Sequence, residues 1–275
     1  MIHTVQVDSR DRSSTDAANN YVMHLAEPLR NIKSVTIRDI QVPNSTYNVV
    51  DGKNTFTLDV LTAGTVTLAP GSYSGDDLAS HIYNVTATQP GMDADWNVIY
   101  DNGSKKFIFT QTSAFVITFG STELADTLGF DTTNAYNSAS YSEDYYVKNL
   151  TLPNSFVPSD RIANLVKDKY FYLCIDELSD PRVQTAKRSG SSGFTGSSLG
   201  RIFGKIPVYA GPGSDIFFDR NSMFELKRSY MSPLTSLGRL SIRWMDYKGD
   251  LIEFNGLTSN SFTLEVECEN RTKTL

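Results

Sequence analysis

Leu237-Gly238-Arg239-Leu240-Ser241-Ile242-Arg243-Trp244-Met245-Asp246, Tyr247-Lys248-Gly249-Asp250, Leu251-Ile252-Glu253-Phe254, Asn255-Gly256 and Ser261-Phe262-Thr263-Leu264-Glu265-Val266-Glu267 form the stretch that decides the fold. Leu240, Ile242 and Trp244 alternate with Ser241, Arg243 and Met245, and Phe262, Leu264 and Val266 alternate with Thr263, Glu265 and Glu267. Period-two alternation marks strands with one face on a core and one in water. Lys248-Gly249-Asp250 has tight-turn chemistry, because Gly reaches positive φ at no steric cost. Asn255-Gly256 is a favoured type I′ pair. The C-terminal stretch therefore predicts strand, hairpin, strand, loop and strand, and these strands need partners from earlier in the chain.

Working outward, the N-terminal residues supply them. His3–Val7 and Tyr21–Leu25 alternate, with a polar turn at Asp8–Ser14 and another turn at Pro28–Asn31. Lys33–Val42 alternates over a longer run and slips once near Arg38-Asp39, which predicts a bulge. Asn54–Val60 is a further strand. The pattern then changes. A strand at Thr65–Leu68 precedes a helix entered at Ser74 with capping-box spacing to Asp77, and Leu78, Ile82 and Val85 give its apolar stripe. A hairpin follows (95–100 and 105–110), then a strand at Phe115–Phe119. A short helix ends at Gly129, the residue type suited to a left-handed C-terminal cap. A polar linker runs from Asp131 to Ser142. Beyond it, strands are predicted at Tyr145–Leu152, Tyr170–Ile175, Lys205–Tyr209, Asp215–Phe218 and Phe224–Arg228, with one or two helical turns at Ser159–Val166.

Many short strands with Gly/Pro turns and no long helix predict a mainly β fold. The expectation is an antiparallel β-sandwich, a single jelly-roll, built from residues 1–60 and 144–275. A small α+β module, residues 61–143, is inserted in one of its loops.

Composition narrows function. The 275 residues are 40% hydrophobic and 20% charged with a net charge of −6, a poor footprint for nucleic-acid binding. No run approaches the roughly 18 apolar residues of a membrane-spanning helix. The N-terminus has neither the basic nor the apolar region of a signal peptide, so synthesis in a reducing cytoplasm is expected. Cys174 and Cys268, the two cysteines, sit in apolar runs and read as buried reduced thiols. A disulfide would require their strands to be neighbours. Five Asn-X-Ser/Thr matches (Asn44, Asn84, Asn102, Asn149, Asn270) read as chance in a Ser/Thr/Asn-rich chain.

Catalytic patterns are sparse. His3, His24 and His81 lack metal-ligand spacing, and no CxxC occurs. Gly200–Lys205 lacks the spacing and the following Ser/Thr of a phosphate loop. Asp176, Glu177 and Asp180 form a carboxylate cluster after a strand; paired carboxylates can hydrolyse glycosides, but charges at a strand end are more often solvated. Trp96, Tyr100, Phe107 and Phe109 alternate as a sugar platform would, and equally as a hairpin's core face would. No catalytic, cofactor-binding or metal residue is expected. Gln184–Arg201 is a Gly/Ser-rich loop made locally basic by Lys187, Arg188 and Arg201. Arg188, Phe194 and Arg201 are its candidate partner-binding residues.

Four stretches carry a resemblance. The first comprises Val7–Arg12, Tyr21–Leu25, Pro28–Val35 and Ile40–Tyr47; the others are Val66–Tyr73 with Leu78 and Ile82, Leu124–Phe130, and Leu240–Val266. In this order they resemble the single jelly-roll minor capsid proteins, including penton (vertex) proteins, of nucleocytoplasmic large DNA viruses, virophages and polinton-like elements. The resemblance implies a non-enzymatic virion protein assembled in the host cytoplasm. It implies a homopentamer at a vertex, set among trimers of a major capsid protein, with the insertion projecting outward. The alternative is a host-receptor or carbohydrate-binding module carried by residues 61–143.

Overall fold

The computed structural model describes residues 1–60, 63–141, 155–179, 202–211, 213–219, 226–256 and 259–269. The chain is mainly β, with antiparallel pairing throughout the described strands. Its strands are β1 (Ile2–Asp8), β2 (Asn20–Asn44), β3 (Thr55–Asp59), β4 (Ala63–Thr67), β5 (Asn97–Asp101), β6 (Lys106–Gln111), β7 (Val116–Phe119) and β8 (Ala135–Asn137). After them come β9 (Ser155–Pro158), β10 (Tyr170–Ile175), β11 (Ile202–Pro207), β12 (Ser214–Phe218), β13 (Leu226–Met245) and β14 (Ser261–Cys268). Two helices, α1 (Gly75–Thr86) and α2 (Thr122–Leu128), lie between β4 and β8.

Two compact units result. Met1–Thr46 and Asp168–Leu275 form one, and Tyr47–Lys167 the other. The second unit is larger than the 61–143 module read from sequence. β3 pairs with β4 and β7, and β9 pairs with β6, so both flanks belong to it. Phe56, Leu58 and Val157 bury in its core, which is what draws those flanks in.

In the first unit the strand order is β1-β14-β2-β13-β10-β11, with β12 on β2. β2 and β13 each serve two layers. The C-terminal half of β2 carries β14 and β1, while its N-terminal half pairs with the end of β13, which carries β10 and β11. At the corner the β2–β13 register breaks twice, once with extra residues 25–28 in β2 and once with extra residues 230–233 in β13. Each bulge holds a proline, Pro28 or Pro233, where a missing N–H costs the ladder nothing. The predicted turn at Pro28–Asn31 is thus a bend inside one long strand, completed by Asn31 at φ 51. Strands that bend at bulges to pass from one sheet to another make the corners of a sandwich. The slip near Arg38 is present: Thr263 faces Asp39 and Leu264 faces Ile37, leaving Arg38 unpaired by β14.

Both layers bury one face in a single apolar core. Val35, Ile37, Ile40, Phe262, Leu264 and Val266 come from one layer, and Phe171, Leu173, Leu240, Ile242 and Trp244 from the other. Leu251–Phe254, read as a strand, makes only a bridge from Leu251 to Met245, because Ile252 and Phe254 turn into the core individually. The Lys248-Gly249-Asp250 turn forms with Gly249 at φ 93, and Asn255 and Gly256 both take positive φ.

The second unit has two sheets, β4-β3-β7-β8 and β5-β6-β9. α1 starts at Ser74, whose Oγ accepts from the Asp77 N–H, and α2 stops at Gly129 in the left-handed conformation. A Cβ at Gly129 would meet the Arg161 carbonyl oxygen at 2.3 Å, so only glycine fits. β8 falls in the stretch read as a polar linker; only Tyr136 of its three residues is buried. Ser159–Val166, read as helical turns, is extended and irregular. The predicted strand at Tyr145–Leu152 lies outside the described residues.

Candidate functional site

Among the described residues, the carboxylate pair Asp176 and Glu177, the aromatic hairpin and His81 have structural tasks. Asp176 and Glu177 open a short 3₁₀ turn after β10. Glu177 accepts from Arg239 Nε at 3.0 Å, Ser241 N at 2.7 Å and Ser241 Oγ at 2.8 Å. Asp176 accepts from Arg243 Nη2 at 2.5 Å. Both carboxylates therefore clamp the end of β10 to β13. These carboxylates are committed to protein donors that hold two strands together. Asp180, the third member of the cluster, lies outside the described residues.

The alternating aromatics form a core face. Trp96 is 3% exposed, donates from Nε1 to Thr86 Oγ1 at 2.9 Å, and meets Phe115 edge-on at 5.5 Å. Phe107 and Phe109 are fully buried. Trp96, Phe107 and Phe109 have no free face for a sugar, and the half-buried Tyr100 packs on Phe107 at 5.0 Å.

Cys174 and Cys268 are free and buried. Burial pushes the Cys174 thiol up to about 11. It donates towards the Met245 sulfur at 3.4 Å, which is packing and not reactivity. Among the described residues no group of His, Cys, Asp and Glu is arranged to hold a metal. His81 stacks on Tyr73 at 5.1 Å, and its Nε2 accepts from the Ala69 N–H at 3.0 Å, which ties the loop before α1. No described helix is long and apolar enough to cross a membrane. Arg188, Phe194 and Arg201 lie outside the described residues.

Sequence reading missed the polar pin of the sandwich, Asn260. It is 2% exposed. Its Oδ1 accepts from Tyr21 Oη at 2.8 Å and Trp244 Nε1 at 3.0 Å, and its Nδ2 donates to the Ala18 carbonyl at 2.9 Å. Burial raises the Tyr21 phenol above its ordinary range. An Asn beside Ser and Thr before a strand reads as loop chemistry, and two of its three side-chain partners, Tyr21 and Ala18, lie more than 200 residues away, so no local signal marks it.

The sandwich sheet has edges at β12, β11 and β1, and two of them are blunted. At β12 the outward N–H and C=O of Phe217 are both taken by the Tyr209 hydroxyl, at 3.1 and 2.6 Å. At β11, Pro207 has no N–H to offer. Lys205 beside it places Nζ 3.7 Å from the centre of the Tyr170 ring, and Arg228 donates to the Phe203 carbonyl at 2.9 Å. Proline, charge and side-chain caps at sheet edges prevent unwanted strand pairing.

No protein-family model matches the sequence. No curated protein matches it. Solved structures do match in fold. The crystal structure of the selenomethionine-labelled mavirus penton protein is similar over 98% of this chain and 100% of that one, with 10% identity and a TM-score of 0.52. A chain in the cryo-EM structure of the Sputnik virophage is similar over 96% of this chain and 98% of that one, with 14% identity and a TM-score of 0.45. At such identities the likeness to the mavirus protein is one of fold, and it extends through both units.

Proposed function

We propose that this chain is a structural protein of a virion, a penton-like minor capsid subunit with no catalytic role. The observation that carries the reading is the end-to-end likeness in fold to the mavirus penton protein. The internal chemistry supports it, because the best carboxylate pair and the aromatic hairpin are spent on holding strands and filling a core. In this reading five copies ring a vertex and contact a major capsid protein after assembly in the host cytoplasm. Residues 47–167 project as the inserted module. The basic Gly/Ser loop with Arg188, Phe194 and Arg201 meets a capsid partner.

Native mass spectrometry of the purified full chain tests this reading. A species of five times the 30.5 kDa chain mass is expected. A strictly monomeric chain at high concentration overturns the pentameric form.

A further inference from the structure

The third sheet edge differs from the two that are capped. β1 ends the sheet order, and Met1 exchanges both backbone bonds with Cys268, at 2.9 and 2.8 Å. In an antiparallel ladder the alternate residues then turn outward. The N–H and C=O groups of Ile2, Thr4 and Gln6 therefore face away from β14, and among the described residues no strand pairs with them. β1 has no proline and no lysine, and among the described residues no side-chain hydrogen bond caps its outward groups. On its inner face His3 and Val5 are only half-buried at the margin of the core, and on its outer face Ile2 is 62% exposed. On the outer face the next strand carries Glu265 opposite Thr4 and Glu267 opposite Ile2. Neither glutamate has a cationic partner among the described residues; Glu267 accepts only from Ser34 Oγ, at 2.9 Å.

We propose that the β1 edge is a docking site for an extended segment of another protein, with apolar and basic residues in alternation. Such a segment adds a strand through the outward groups of Ile2, Thr4 and Gln6. Its apolar side chains cover Val5 and His3, and its basic ones reach Glu267 and Glu265. Main-chain bonds supply affinity in strand addition, and alternate side chains supply selectivity. A second copy of this chain fits less well. Two β1 edges would merge their outer faces and bring four glutamates into one sheet with no cation between them.

The test uses the full chain and a synthetic probe, acetyl-Lys-Val-Lys-Val-Lys-Val-Lys-amide, with hydrogen exchange read at β1. Exchange at Ile2, Thr4 and Gln6 is expected to be fast in the free protein and to slow at least about tenfold when these amides become hydrogen-bonded to the probe. Thr4→Pro removes one outward N–H at a position where an edge strand tolerates proline, so the fold survives and binding weakens at least about tenfold. Glu265→Gln with Glu267→Gln weakens binding and flattens its salt dependence. A probe N-methylated on alternate valines keeps its charge and is expected not to bind. Equal binding of the methylated probe, or by the Thr4→Pro variant, overturns the proposal in favour of charge attraction alone. Protection of the three amides without probe, rising with protein concentration, overturns it in favour of a second copy.

Discussion

The two units solve the problem of burying a β core in opposite ways. The first is laced from the far ends of the chain: β1 pairs with β14, and β2 with both β13 and β14. Its core is mostly Val, Ile and Leu. The second pairs strands mostly close in sequence, as in the hairpins β3–β4 and β5–β6. Its core is a chain of rings, with Phe119 stacked on Phe130 at 4.9 Å and Tyr136 edge-on to Phe130 at 4.8 Å. Local pairing needs little loop closure, while pairing across 200 residues must order the whole chain before it is rewarded. The first unit is thus the one that depends on every segment being present.

The sharpest way to break this contrast is to delete Ser261 onward. Losing β14 unpairs β1 and bares Ile32, Val35 and Ile40, so the sandwich should not form while the second unit still unfolds cooperatively. Calorimetry should show one transition in place of two. A truncated chain that keeps both transitions breaks the comparison. Next in size, Phe109→Ala should cost about 3–5 kcal/mol, confined to the second unit, because a fully buried ring leaves a cavity. Unfolding followed by hydrogen exchange in each unit checks that confinement.

Glu177→Ala should destabilise only the first unit, on the order of 2 kcal/mol, by stranding the part-buried Ser241 N–H. Denaturant titration reads it. Alkaline pH should also act on the sandwich first. The Cys174 thiol is raised from 9.0 to about 11, so the folded state keeps its proton while the unfolded chain loses it. That contribution is complete below pH 9 and is lost as pH rises towards 11, amounting to roughly 2–3 kcal/mol. Cys174→Ala should flatten this part of the stability–pH curve. Smallest of all, Ser74→Ala should cost about 1 kcal/mol in the second unit, by uncapping α1.

Where a feature was local, it could be read from the sequence. The alternation of Phe262, Leu264 and Val266, the bulge at Arg38, the cap at Ser74 and the stop at Gly129 each follow from a few neighbouring residues. The misreadings share a cause. Pro28 looked like a turn because a bulge at a sandwich corner uses the same residues. β3 reads as part of the sandwich, because a strand carries no mark of the sheet it will join. Trp96 left two readings open until burial separated them. The three candidate contact residues, Arg188, Phe194 and Arg201, rest on composition alone, since a basic loop states no partner.

The exchange of bonds between Met1 and Cys268 has a consequence for synthesis. Ribosomes deliver a chain from its N-terminus. Residues 47–167 therefore emerge as a complete set and can collapse while translation continues. β1 and most of β2 must wait, with apolar faces bare, until the last strand arrives. From residue 167 until the last strand is made, the insert can fold while the sandwich stays unfinished. Its demand for chaperones should fall on the first 46 residues rather than on the part that is folding beside them.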